Sequence, residues 1–335
     1  MTRRKEKDVK KPVRGKSLTV REDSPTYGTV VRPAVPTVLT ELAKIPEHLG
    51  DRAVLWQGDV ESFLDGLPKQ PLFDLVFTSP PYNIGKVYEQ RTALDQYLLW
   101  QKRVIDKIVC RLKPTGSLCW QVGNYVETLK GSRNSTIVPL DIAFHDVFRE
   151  HGLLLRNRVV WHFGHGLHCR RRFSGRYEVV MWYTKSDDYV FNLDAVRVKA
   201  KYPGKKYFKG PNYGQYSGNP LGKNPEDVWE IPNVKSNHIE KTSHPCQFPV
   251  ALVDRFVLAL TKPDALVFDP FMGVGSSGVA ALMHKRRFLG CEINAAYLSV
   301  AEKRMLGAME GRAKFRPFEK PIYDHMKSKL SRRVE

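Results

Sequence analysis

Apolar positions along this chain form short bursts that alternate with longer stretches of helical period. Ala53 to Trp56 and Phe73 to Phe77 have the length and composition of strands, and Val60 to Leu67 between them reads as a helical connection. Leu94, Tyr97, Leu98, Ile105, Ile108, Val109 and Leu112 recur at helical spacing, and Pro114 and Gly116 supply stop signals. Leu118 to Val122 reads as a strand, and Leu140 to Phe148 as a helix opened at Pro139 and ended by Gly152. Leu153 to Trp161 and Tyr177 to Tyr183 add two more strands. In the last third the alternation becomes strict: Val250 to Leu260 helical, Leu266 to Phe268 strand, Gly278 to Met283 helical, Phe288 to Ile293 strand, Ala295 to Met309 helical. Strands and helices that take turns predict an α/β layer fold around a parallel sheet.

Three stretches break the pattern. Residues 1–35 carry nine Lys or Arg in the first 21 positions and little apolar patterning, and read as a flexible basic arm, either solubilising or DNA-contacting. Residues 196–242 have no period, hold seven Gly or Pro between Pro203 and Pro220, and interleave tyrosines with lysines. Residues 311–335 form a basic tail. The expected organisation is therefore an arm (1–35), a first α/β half (36–195), an irregular module (196–242), a second α/β half (243–310) and a tail (311–335).

Charge narrows the partner. Lys and Arg outnumber Asp and Glu by 54 to 35, a net charge of +19, which favours a polyanion such as nucleic acid. No run of 18 or more apolar residues and no signal segment is visible, so an intracellular, cytoplasmic protein with no membrane partner is expected. The five cysteines form no C-x-x-C pair, which suggests reduced thiols rather than a disulfide framework or zinc ribbon. Trp161 to Cys169 contains three histidines and a cysteine at a spacing that fits no standard zinc site, so no metal is expected.

Two motifs carry chemistry. The strand at Phe73 to Phe77 runs into Thr78-Ser79-Pro80-Pro81-Tyr82-Asn83, where two prolines without N–H groups force the chain out of the sheet. The result is either an ordinary proline turn or a stiff lip that offers a hydroxyl, carbonyls and an aromatic ring to a flat ligand with an amino group. Far downstream, Asp269-Pro270-Phe271-Met272-Gly273-Val274-Gly275-Ser276-Ser277-Gly278 follows a strand and opens a helix with G-x-G-x-x-G in register, and Glu292 ends the next strand, where a carboxylate can take ribose hydroxyls. The glycines alone suit a nicotinamide dinucleotide or another adenosine. An acid and an aromatic ring ahead of the first glycine lean towards a cationic adenosine, S-adenosylmethionine.

Together the motifs resemble the DNA amino-methyltransferases, which use S-adenosylmethionine to methylate N4 of cytosine or N6 of adenine. The order, catalytic motif before cofactor motif with a recognition region between, is similar to the permuted β group of that family, over roughly residues 50–310. The resemblance implies a Rossmann-like seven-stranded, mostly parallel sheet with one antiparallel strand. It implies a catalytic set of Ser79, Pro80, Pro81 and Tyr82. For the cofactor it implies Asp269, Phe271, Gly273 and Gly275, with Thr78 and Ser276 beside the motifs, Glu292 for the ribose, and Asp59 for the adenine amino group or, alternatively, as a helix N-cap. His244-Pro245-Cys246-Gln247-Phe248-Pro249 resembles the family segment beside the methionine end, although Phe248 stands where that family commonly has Lys, so His244 and Pro245 are carried over without a positive charge there.

Transfer to an exocyclic amine needs acceptors that make its nitrogen more nucleophilic. Ser79 hydroxyl and Pro80 carbonyl are the expected acceptors and Tyr82 the stacking ring, acting on a base flipped out of double-stranded DNA. Ser at the first motif position is typical of cytosine-N4 members and favours cytosine N4, with adenine N6 as the alternative. Residues 196–242, with nine Lys or Arg against four acids, are expected to recognise the target, Lys205, Lys206 and Lys209 and also Arg170, Arg171, Arg172 and Arg176 contacting phosphates. Pro245-Cys246-Gln247 resembles the nucleophile motif of cytosine-C5 enzymes, but no Glu-Asn-Val partner exists and the proline lip would have no role. A nicotinamide oxidoreductase leaves lip and charge unexplained, and an inactive DNA-binding relic leaves two intact motifs unexplained; an RNA or protein substrate stays open. So do a cognate restriction endonuclease acting on the same site, and a monomer against a homodimer.

Overall fold

A computed structural model of the chain describes residues 49, 52–128, 135–166, 168–235 and 237–322. The basic arm (1–35) lies outside these residues, as does most of the basic tail. The first half alternates β1 (Ala53–Gln57), α1 (Val60–Gly66), β2 (Phe73–Thr78), α2 (Leu94–Val109), β3 (Leu112–Val122), a hairpin of β4 (Asn124–Thr128) and β5 (Ser135–Pro139), α3 (Leu140–Glu150), β6 (Leu154–His162) and β7 (Tyr177–Thr184). After a 3₁₀ turn at Asp194–Val196 and β8 (Val228–Glu230) come α4 (Val250–Leu260), β9 (Leu266–Asp269), α5 (Ser276–Met283), β10 (Arg287–Glu292) and α6 (Ala295–Met309).

Eight strands form one sheet in the order β1-β10-β9-β2-β3-β7-β6-β8, with β4 and β5 as a separate pair. Only β7 runs against its neighbours, pairing antiparallel with β3 and β6, while the other pairs of the large sheet are parallel. Successive side chains in a strand point to opposite faces. Accordingly Phe268, Leu118, Trp120, Met181 and Tyr183 pack with α1, α2 and α3, whereas Val267, Cys119, Val180 and Trp182 pack with α4, α5 and α6. Burial on both faces is why these strands read as near-continuous apolar runs.

The expected seven strands become eight because β8, three residues inside the irregular module, adds to the edge against β6. It is too short to show a period. The hairpin β4–β5 was not anticipated either. Pro114 and Gly116, read as stops, lie within β3, where the register against β2 jumps from Phe73↔Leu112 to Leu75↔Ser117. The extra residues bulge out, and a Cβ on Gly116 would sit 2.9 Å from the Phe73 carbonyl oxygen, so only glycine fits the close approach.

The crossover from β9 travels through α5 on one face, and that from β2 through α2 on the other. Loops leaving two adjacent parallel strands in opposite directions open a crevice at their carboxyl ends.

Candidate active site

That crevice is a cavity of about 540 Å³. Its two walls are joined beneath the surface by one carboxylate. Asp269, fully buried at the end of β9, accepts from Thr78 Oγ1 at 2.7 Å, from the Phe271 N–H at 3.0 Å and from the Ser277 hydroxyl. Burial pushes its pKa up to about 6 against the pull of these donors. Asp269, Thr78 and Gly275 stand behind the wall, outside the residues that line the cavity. Gly275 sits in the left-handed region (φ 75°) that turns the chain into α5.

On the β9–β10 side, Phe271, Gly273, Ser276 and Glu292 line the cavity. Glu292 ends β10 and takes the Asn294 N–H at 2.7 Å, and burial raises its pKa against backbone N–H bonds from Asn294, Gly273 and Ile293. Asp59 also lines it while capping α1 through the Ser62 N–H at 2.9 Å, so the N-cap considered for it is formed. Arg304 from α6 holds the loop by donating to the Val274 carbonyl at 2.5 Å. His244 and Pro245 also line the cavity, the His244 ring lying beside Gly273, where an added Cβ would sit 3.4 Å from His244 Nε2. The His244 ring stacks on Tyr88 at 5.2 Å and meets Tyr297 edge-on at 4.6 Å, and burial, with Lys241 adding to it, lowers its pKa to about 4, so it is neutral near pH 7.

The lip faces this loop across the cavity, with Ser79, Pro80, Pro81 and Tyr82 all in the lining. Tyr97 of α2 donates to the Pro81 carbonyl at 2.7 Å, and Asn83 (φ 59°) exchanges two hydrogen bonds with the Thr92 backbone at 2.7 and 2.8 Å, fixing where the lip ends. The Ser79 and Tyr82 hydroxyls are 3.2 Å apart. Tyr82 in turn donates to Glu178 Oε2 at 3.2 Å and accepts from Gln121 Nε2 at 2.7 Å, and Gln121 also donates to Glu178.

Glu178 and Gln121 were missed by sequence reasoning, although a signal existed. Gln121 interrupts the buried run 118–122 and Glu178 opens the buried run 179–183, and a polar group in or against such a run needs a partner or a task.

The predicted DNA contacts fall outside the cavity. Arg170, Arg171 and Arg172 are exposed in the β6–β7 loop, and Arg176 is partly buried at its base, where Phe163 N–H bonds the Arg176 carbonyl at 3.0 Å. The loop springs from the cavity rim, since Phe163 before it and Glu178 after it both line the cavity. Lys205, Lys206 and Lys209 are exposed on a finger, residues 197–223, whose base is closed by paired Val198 and Lys223 and whose middle is held by a Lys206–Tyr216 bridge.

A family model described as DNA methylase, of the N6/N4 type, matches residues 73–303, a span that takes in both motifs. The chain belongs to the N6/N4 DNA methylase family. This methylase is 44% identical over 253 residues to the type II methyltransferase M.BglII of Bacillus subtilis, covering 76% of this chain and 69% of that one. It is 30% identical to the DNA adenine methyltransferase YhdJ of Escherichia coli K12, covering 78% and 85%. Its fold is similar to that of the PvuII cytosine-N4-specific DNA methyltransferase, with a TM-score of 0.58 and 20% identity over 79% of this chain and 94% of that one. The methylase uses S-adenosylmethionine, and the cavity fits it: an acid at the end of β10, an aromatic ring at Phe271 and the start of α5 converge on one wall. No helix among the described residues is long and apolar enough to cross a membrane.

Proposed function

We propose that this methylase transfers a methyl group to the exocyclic N4 of cytosine at a specific site in double-stranded DNA, on a base flipped into the cavity. The observation that carries the reading is the Ser79 hydroxyl, which shares one cavity with Glu292 and Gly273 and lies next to Thr78, the residue hydrogen-bonded to Asp269 below the cofactor loop. S-adenosylmethionine supplies an electrophilic methyl on its sulfonium. Ser79 Oγ and the Pro80 carbonyl accept the two amino hydrogens, drawing the nitrogen towards sp³ and aligning its lone pair. The Pro81 carbonyl is already engaged by Tyr97, which leaves Pro80 as the lip's acceptor. Tyr82 walls the base.

Glu292 takes the ribose hydroxyls, Asp59 the adenine amino group and Phe271 the adenine face, while Gly273, Ser276, neutral His244 and Pro245 enclose the amino-acid end. Asp269, with its oxygens occupied by Thr78, Ser277 and Phe271, holds the two walls together rather than meeting the cofactor. Arg170, Arg171, Arg172 and Arg176 at the rim, and Lys205, Lys206 and Lys209 on the finger, neutralise phosphates.

Adenine N6 is the second reading, favoured by the 30% identity to a relative named for adenine methylation. Nucleoside mass spectrometry of DNA from cells expressing the protein distinguishes them: N4-methylcytosine is expected, and N6-methyladenine in its place overturns the assignment.

A further inference from the structure

The methyl transfer leaves one proton to dispose of, and the cavity holds an ordered path for it. As the amine nitrogen forms its bond to carbon, the C–S electron pair returns to sulfur, and the nitrogen becomes cationic until one N–H proton departs. Ser79, Tyr82 and Glu178 lie in sequence, with 3.2 Å from Ser79 to Tyr82 and 3.2 Å from Tyr82 to Glu178. The polarity of this chain follows from counting donors. An ionised carboxylate only accepts, so Tyr82 spends its single proton on Glu178. The Tyr82 oxygen then accepts from Gln121 at 2.7 Å and from the Ser79 hydroxyl, which turns the Ser79 lone pairs towards the amine.

We propose that Glu178 is the positioning residue and terminal proton acceptor of the transfer, fixing the direction of the Ser79 and Tyr82 hydroxyls and receiving, through them, the proton that the methylated amine releases. The steps balance: the amine proton passes to Ser79, the Ser79 proton to Tyr82 and the Tyr82 proton to Glu178, each hydroxyl ending neutral. The inference rests on the amino-methyltransferase reading of the cavity and holds for cytosine or adenine.

Protonated Glu178 reverses the chain. It can donate back to Tyr82, so that Tyr82 donates to Ser79 and the Ser79 hydrogen points at the amine. Activity therefore requires the ionised form. Burial raises the Glu178 pKa, with hydrogen bonds from Gln121 and Tyr82 opposing it. The groups around it are Tyr82 on the lip and Tyr88 beyond it, neutral Gln121 on β3, Trp161 across from it on β6, and Arg176 two positions before it, whose Nη1 bonds the Gly175 carbonyl.

Single-turnover methylation of a duplex carrying the site mapped in DNA from expressing cells tests this between about pH 5 and pH 8, the range where a raised carboxyl titrates. Wild-type rates should rise with pH to a plateau, with a midpoint above that of an ordinary glutamate. Glu178→Gln and Tyr82→Phe should each lose about 10²-fold at the plateau, with S-adenosylmethionine and DNA affinities within about twofold. Glu178→Gln should lose the acid limb, and Glu178→Asp should keep a limb and recover part of the rate. A pH-independent wild-type rate, or Glu178→Gln that keeps the wild-type rate or the limb, overturns the relay while leaving the amino-methyltransferase reading standing. Wild-type protein that methylates no base overturns both.

Discussion

In the crevice between β2 and β9, polar side chains find partners within the chain, whereas the finger from residue 197 to 223 turns nearly all of its side chains to solvent. Asp269 alone collects Thr78, Ser277 and Phe271, and the lip is held by Tyr97 and Thr92. The finger has seven Lys or Arg and no acid, and its aromatics are open, Phe208 at 75% and Tyr213 at 73% of full exposure. Its lysines lie over its own rings, Lys206 at 5.1 Å from Tyr216 and Lys209 at 5.3 Å from Phe208. Such pairs are worth little at exposed sites, about 0.5–1 kcal/mol, and leave the charge available. One region is preorganised for chemistry, where geometry must not move. The other, in the function proposed above, offers its exposed charge and rings to DNA, with contacts that form on arrival. Rate and affinity should therefore be separable by mutation.

The sharpest way to break this separation is within the lip. Ser79→Ala should reduce the single-turnover rate by about 10²–10³-fold, the range for removing one preorganised polar group at a reacting centre. Affinity for S-adenosylhomocysteine, read by calorimetry, should stay unchanged, because the cofactor wall is built from β9 and β10. A comparable loss of cofactor affinity would merge the two walls into one unit.

A smaller effect is expected on the finger. Neutralising Lys205, Lys206 and Lys209 together should flatten the dependence of log affinity on log salt by about 3, near 0.9 for each phosphate contact. The rate at saturating DNA should hold. A finger variant that binds DNA normally but turns over slowly would place these lysines in the chemistry and end the comparison.

Smaller again is the joint under the cavity. Asp269→Asn introduces an N–H₂ among groups that all donate, so one of them loses its acceptor at a cost of about 1–3 kcal/mol. Thermal unfolding should show this as a lower Tm even without ligand. If Asp269 instead met the cofactor, stability of the free protein would be unchanged and only protection by S-adenosylhomocysteine would fall.

How much of this was visible beforehand differs by region for physical reasons. Strands buried on both faces must be apolar throughout, and their helices must be amphipathic, so nearly every element of the large sheet could be read from the period alone. Short elements could not: β8 owes its pairing to β6 and not to its own three residues. β3 was truncated because Pro114 and Gly116 look the same whether they stop a helix or form a bulge. The motifs pointed to the two walls but not to what lies between them. Asp269 was read as facing a cationic ligand, yet its position at the end of a buried strand turns it inward to Thr78 and Ser277. Glu178 belongs to no motif, and its task follows only from the pairing of β7 with β3, which brings it to Gln121 and Tyr82.

The smallest effect expected concerns Cys246, the residue that would matter most in a covalent mechanism. It is exposed, and its N–H points to His244 Nδ1 at 3.2 Å, within a segment packed against Tyr88 and Tyr297. A thiol that attacks a ring carbon needs a neighbouring base or cation to hold it as thiolate. His244, with a pKa lowered to about 4, is neutral near pH 7 and supplies no positive charge. Although Cys246 lines the cavity, Cys246→Ala should therefore methylate within about twofold of wild type, because direct transfer to the amine asks nothing of its thiol. Abolished transfer in a folded Cys246→Ala protein that still binds S-adenosylhomocysteine would move the chemistry from the amine to the ring carbon, and the crevice would then need a nucleophile where its geometry now offers hydrogen-bond acceptors.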